Sequence, residues 1–222
     1  MSKEFSQKLK SRISEIKNKE KEHLNLGLEM FKAYNGAFYA LDIFAIGSIK
    51  RSIAHCSGFR YLIQKRNFIC AASILRMQLD NAFRFYAAFI VENPHQFAKE
   101  VFHGSQVNRL KDKTGELMTD AYLVKSLAKE YPWIEKVYHE TSGYVHFSNK
   151  HIFNAFDDYD ENSHSAGIKI SAKDKELPER IYFEAVEAFI ATTDIFLRYL
   201  KGWILTKDNP DLVSKKSNQN GN

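Results

Sequence analysis

Proline and glycine are scarce, with four and ten among 222 residues. So few chain-breaking residues argue against a many-turned β fold and for long helices. Cysteine is nearly absent. Cys56 and Cys70 both lie in apolar stretches, where a free thiol behaves as a small hydrophobe. A disulfide framework would need more cysteine and a secretory setting. The opening residues MSKEFSQKLKSR contain no apolar leader core and no small-residue cleavage site, so a cytoplasmic address is expected. The longest apolar stretch, Phe68 to Val91, is interrupted by Arg76, Gln78, Asp80, Asn81 and Arg84. Those polar groups argue against a membrane span.

Other signals are missing as well. No glycine-rich phosphate loop occurs. His139, His146 and His151 lack the i, i+4 spacing that sets two imidazoles on one ion, and the carboxylate motif of a di-iron bundle is absent. Neither a metal nor a cofactor is expected. No strand–turn–helix elbow surrounds Ser142, which leaves a serine–histidine nucleophile unsupported.

What is present is an apolar load of 44% hydrophobic and 14% aromatic residues, enough for most of the chain to fold around a core. The net charge of +5 invites a nucleic-acid reading. Its placement weakens that reading: residues 1–22 hold seven Lys/Arg against four Asp/Glu, and no basic patch marks the body of the chain.

Apolar spacing divides the chain into helices. Phe5, Leu9, Ile13 and Ile16 recur at three and four over residues 3–34, among Lys and Glu. This charged helix is expected to project or to pair with a partner. Helices are expected over 37–65, 68–92, 95–103, 120–130, 132–147 and 179–205, with Asn67 and Thr119 as N-caps. The 68–92 segment is apolar on nearly every side, as a central helix is. Residues 157–177 are polar and irregular, with Gly167–Ser171 alternating like a short strand. The expected fold is an all-α antiparallel bundle of four to five long helices, its core built from 37–65, 68–92, 132–147 and 179–205. The expected organisation is an N-terminal partner-binding helix (1–36), a helical bundle domain (37–206) and a disordered tail (207–222).

Two constellations carry chemistry. Arg76, Asp80 and Arg84 share a face of the most apolar helix at i, i+4, i+8. Charges there must be solvated or paired. They form either a ladder fixing helix register or an anion site in which Asp80 orients two guanidinium forks. In the second, within Tyr138–Ser148, His139, Ser142 and His146 fall close to one face of the 132–147 helix, and Tyr138 is a further candidate for holding a ligand. His146 is either a hydrogen-bonded core histidine or a general acid/base, its ordinary pKa lying nearest neutrality. Gly143 offers room for a close approach. Arg51 and His55, i, i+4 neighbours, are either a helix's polar edge or a further part of the same groove.

The pattern Arg76-x-x-x-Asp80, then Asn108-Arg109-Leu110-Lys111-Asp112-Lys113, then Tyr138-x-x-x-Ser142-Gly143-Tyr144-Val145-His146-Phe147-Ser148 resembles a group of uncharacterised bacterial helical proteins. These are distantly similar to the HEPN superfamily of helical bundles found in toxin–antitoxin and phage-defence systems. The resemblance covers about residues 40–150. Catalytic HEPN ribonucleases carry an Arg, four to six residues and a His on one helix. Here three residues separate Arg51 from His55, and no Arg precedes His146 at that distance.

Two functional expectations follow. One is a regulatory or interaction module, homodimeric or partner-bound through its N-terminal helix, that takes a protein, nucleotide or nucleic acid. The other is a metal-independent endoribonuclease with His146 as acid/base, Arg76 and Arg84 stabilising the transition state, and Ser142 orienting substrate.

Overall fold

The structure, a computed structural model, describes residues 4–174 and 176–211. Ser6 accepts the Leu9 N–H and starts α1 (Gln7–Lys32). A left-handed corner at Tyr34, Asn35 and Gly36 turns the chain into α2 (Ala40–Gln64). A second tight corner, with Arg66 left-handed, leads to α3 (Phe68–Ala87), capped by Asn67 as expected. Asn93 caps α4 (Pro94–Phe102), and Thr119 caps α5 (Asp120–Ala128). α6 (Trp133–Val145), α7 (Asn149–Ala155) and the 30-residue α8 (Glu179–Asp208) complete the helices. The fold is all-α, apart from one antiparallel hairpin of β1 (Phe156–Asp160) and β2 (Ser165–Ile168). That hairpin occupies the connection expected to be irregular, and the strand lies slightly before the expected Gly167–Ser171. The connection is tied back at its far end, where Asp174 accepts the Phe68 N–H at 2.8 Å.

Four helices form the bundle, but not the expected four. α1 lies between α2 and α8, and α3 closes the ring on their other side. α6 packs on the outside of α3. The expectation of a projecting N-terminal helix is therefore corrected: Leu9, Ile13, Ile16, Leu26 and Met30 are buried among the other three helices. Their spacing is that of any amphipathic helix, and it does not say whether the apolar face meets a partner or the chain's own core.

The core falls into two apolar halves. One is built around Phe59 stacked on Phe189, the other around Phe85 against Phe44 and Phe196. A polar layer separates them, with at least one contribution from each helix. The Ser52 hydroxyl bridges to His23 Nε2 at 2.7 Å, and the His23 ring bonds the Lys19 carbonyl through Nδ1 at 2.6 Å. The Gln78 amide donates to Ser52 Oγ at 2.7 Å and to Thr193 Oγ1 at 3.2 Å, and its Oε1 takes His55 Nδ1 at 2.9 Å. Every group is satisfied when both imidazoles are neutral. Burial holds both histidines below their ordinary pKa. Such a layer penalises any slip of one helix against the others, because a shift strands buried polar groups.

At the far end of the bundle lies a buried ion pair. Lys207 Nζ meets Asp42 Oδ2 at 3.0 Å, both side chains fully enclosed. Lys207 also donates to the Met30 carbonyl, and Trp203 Nε1 donates to Asp42 Oδ1 at 2.8 Å. Lys207 and Asp208 belong to α8, which corrects the placing of the tail boundary at residue 207. Residues 212–222 of the expected tail lie outside the described residues.

Candidate functional site

The site begins with a loop. Asp112 lies in the turn between α4 and α5 and accepts from the Thr114 N–H, the Thr114 hydroxyl, the Glu116 N–H and the Tyr122 hydroxyl. Burial raises its pKa, but these donors outweigh it and hold the carboxyl at about 2. Gly115 supplies the left-handed residue the turn needs. This clasp fixes the approach to Thr119, whose cap starts α5 and sets Asp120 in its first turn.

Asp120 then meets the arginines of α3. Its Oδ2 lies 3.3 Å from Arg76 Nη2, and its Oδ1 takes Arg84 Nη2. Asp80 accepts Arg84 Nε at 3.1 Å and Arg51 Nη1, from α2, at 2.8 Å. The result is a continuous chain: Arg51, Asp80, Arg84, Asp120, Arg76. The expected Asp80–Arg84 step is present, but Arg76 reaches across to α5 instead of pairing with Asp80. Its guanidinium also lies over the Tyr138 ring, 4.1 Å from the centroid. These groups are partly buried, so their attraction is screened less than that of a surface pair.

A cleft of about 390 Å3 opens along this chain. Arg51, Arg76, Asp80 and Asp120 form one wall, and Tyr138, Ser142 and His146 of α6 form the other. Six of the eight sequence-derived candidates thus meet in one solvent-reached space. His146 is exposed at the C-terminal end of α6. The Ser142 hydroxyl donates back to the Tyr138 carbonyl at 2.6 Å, so its hydrogen is committed and its oxygen can serve only as an acceptor.

Two candidates are elsewhere. Arg84 does not line this cleft; both of its carboxylate partners hold it behind the wall. His55 is buried in the polar layer with Gln78. Gly143 gives close approach not to a ligand but to the chain itself: Ser148 donates to its carbonyl at 2.7 Å, and an added Cβ would press on Ser148 and Lys150. Sequence reasoning missed Asp120. The Thr119 cap located it at a helix start, but nothing local pointed it at Arg76. Among the described residues, no three His, Cys, Asp or Glu side chains cluster to hold a metal ion. No helix among them is long and apolar enough to cross a membrane.

Comparison with protein-family models, with curated proteins and with solved structures finds no match for the chain.

Proposed function

We propose that the chain is a helical binding module whose cleft captures a phosphate-bearing ligand, a nucleotide or a nucleic-acid strand. One observation carries this reading. Three guanidinium groups, Arg51 and Arg76 on the wall and Arg84 behind it, face two carboxylates, so the chain of charges keeps one surplus positive charge beside an open cleft. Arg76 and Arg51 supply forked donors for phosphate oxygens, and Tyr138 gives a ring for a base to stack on. In a fluorescence-anisotropy titration, Arg76→Gln is expected to weaken binding of labelled ATP or of a short RNA about tenfold or more. Unchanged affinity in that variant, or no saturable binding by the parent, defeats the reading.

A second reading, a HEPN-like metal-independent ribonuclease, draws support from the shared cleft of His146, Ser142 and Arg76. Arg51 would take the part expected of Arg84. Nicking of RNA in chelator, abolished by His146→Ala with the helical circular-dichroism signal intact, is the result this reading requires.

The partner role expected for the N-terminal helix is carried by its outer face. Leu24, Leu28 and Phe31 stay exposed beside Ile46 and Ile53, along an apolar groove between α1 and α2. If this face joins two copies, the parent sediments as a dimer and Leu28→Glu as a folded monomer. A monomeric parent at micromolar concentration removes the self-association.

A further inference from the structure

The charged chain has a second side. Between α2, α3 and α4 lies a larger cleft of about 560 Å3. Its charged end is formed by Arg51, Asp80 and Arg84, and its apolar end by Phe44, Val101 and Phe102. This volume is that of a small-molecule site, and the mixture of an apolar body with a few polar groups at one end is typical of one. Phe102 is 66% exposed at its mouth, a large apolar surface left open to solvent.

Gly47 points the same way. It sits in the middle of α2 and lines this cleft. A glycine inside a helix is less favourable than alanine. No neighbour demands it here: a Cβ built on Gly47 meets no heavy atom within 4 Å. The missing side chain does one thing, which is to widen the cleft one helical turn from Arg51.

The charge at the polar end sets the ligand's charge. Arg51, Arg84 and Arg76 together answer Asp80 and Asp120, which leaves one surplus positive charge along the chain, and Arg84 Nη1 is buried with no hydrogen-bond partner. A group with one negative charge balances that surplus. We propose that this cleft binds a small amphipathic monocarboxylate, its chain or ring against Phe44 and Val101 and its carboxylate on Arg51. This site shares Arg51 and Asp80 with the His146 cleft but none of Tyr138, Ser142 and His146, so Gly47, which lines this cleft alone, separates the two.

The test is calorimetric titration of the full chain with octanoate, with 4-phenylbutyrate and with the neutral octanol. Both acids are expected to saturate at one site, and octanol to bind about tenfold more weakly or not at all. Gly47→Leu, which fills the cleft, is expected to weaken octanoate binding at least about tenfold, and Arg51→Gln about tenfold. Circular dichroism establishes that each variant is folded. Should Gly47→Leu lose its fold, Arg51→Gln and the acid–alcohol comparison still decide the matter. Equal binding of acid and alcohol, no saturation at millimolar acid, or parent-like affinity in folded Gly47→Leu each overturns the proposal.

Discussion

Lys207→Met is expected to destabilise the protein by ~3–5 kcal/mol, read as a lower urea midpoint at unchanged slope. The methionine fills similar space, so the loss is electrostatic. It leaves the Asp42 carboxylate fully enclosed, with only the Trp203 and Tyr39 N–H groups to compensate it. The Met30 carbonyl at the end of α1 also loses its donor. Adding Asp42→Asn removes the stranded charge while keeping an acceptor for Trp203. The double variant should regain on the order of 1 kcal/mol or more over Lys207→Met alone. A single variant that loses less than about 1 kcal/mol would show that the pair is hydrated in solution. The same pair fixes where the domain stops. A chain ending at residue 206 should be as unstable as the methionine variant, because it lacks the same ammonium.

The second large effect is acid destabilisation below neutrality, well above the range in which carboxylates protonate. His23 and His55 are lowered by burial from their ordinary value of 6.5. Around His23, the hydrogen bond to the Lys19 carbonyl, Glu22 and Asp194 raise the pKa and the Lys19 charge lowers it; around His55, the Gln78 hydrogen bond and Asp80 raise it and Arg51 lowers it. Desolvation outweighs these neighbours in both cases. The folded state therefore binds fewer protons than the unfolded chain. Stability is fully present above about pH 6.5 and is lost as the pH falls below it toward the lowered folded values. Both rings contribute to this loss. Their hydrogen bonds give the local reason. A proton on His23 Nε2 turns an acceptor toward the Ser52 hydroxyl into a second donor, and the chain through Gln78 loses its direction. Urea midpoints across pH 7.5 to 5.5 should fall, and Gln78→Leu should lower stability at both ends by removing the partner of His55 Nδ1 and one donor to Ser52. A flat profile over that interval would mean that the layer accommodates imidazolium. The Asp112 clasp adds a separate loss at lower pH. Its carboxyl is held near 2, so its contribution disappears only as the pH falls from about 4 toward that value.

The helices were legible because their signals are local. Asn67 and Thr119 accept N–H groups three residues ahead, and Asn93 does so just before Pro94, so short sequence windows contained both donor and acceptor. The apolar character of 68–92 marked α3 as central, and it is enclosed by α2, α8 and α6. The misplaced fourth core helix has an equally plain cause. α6 and α1 each carry one apolar stripe, and a stripe records that a face is covered without recording by what. The polar layer was invisible for a related reason. His23, Ser52, Gln78 and Thr193 read singly as surface-type residues, and only their meeting at one level of the bundle makes them a set.

The candidate cleft divides along the same line. The sequence by itself determined that α3 carries guanidinium groups in need of anions and that α6 presents Ser142 and His146 on one side, because both follow from spacing within about two helical turns. Only the tertiary structure decided which anions answer. Asp120 comes to Arg84 from 36 residues away, and Arg51 comes to Asp80 from 29. Long-range pairing of this kind depends on how helices pack, and packing is set by the summed fit of many side chains rather than by any one residue's neighbours in the chain. That choice turned Arg84 away from the histidine, opened a second cleft behind it, and gave the protein two faces on one line of charge.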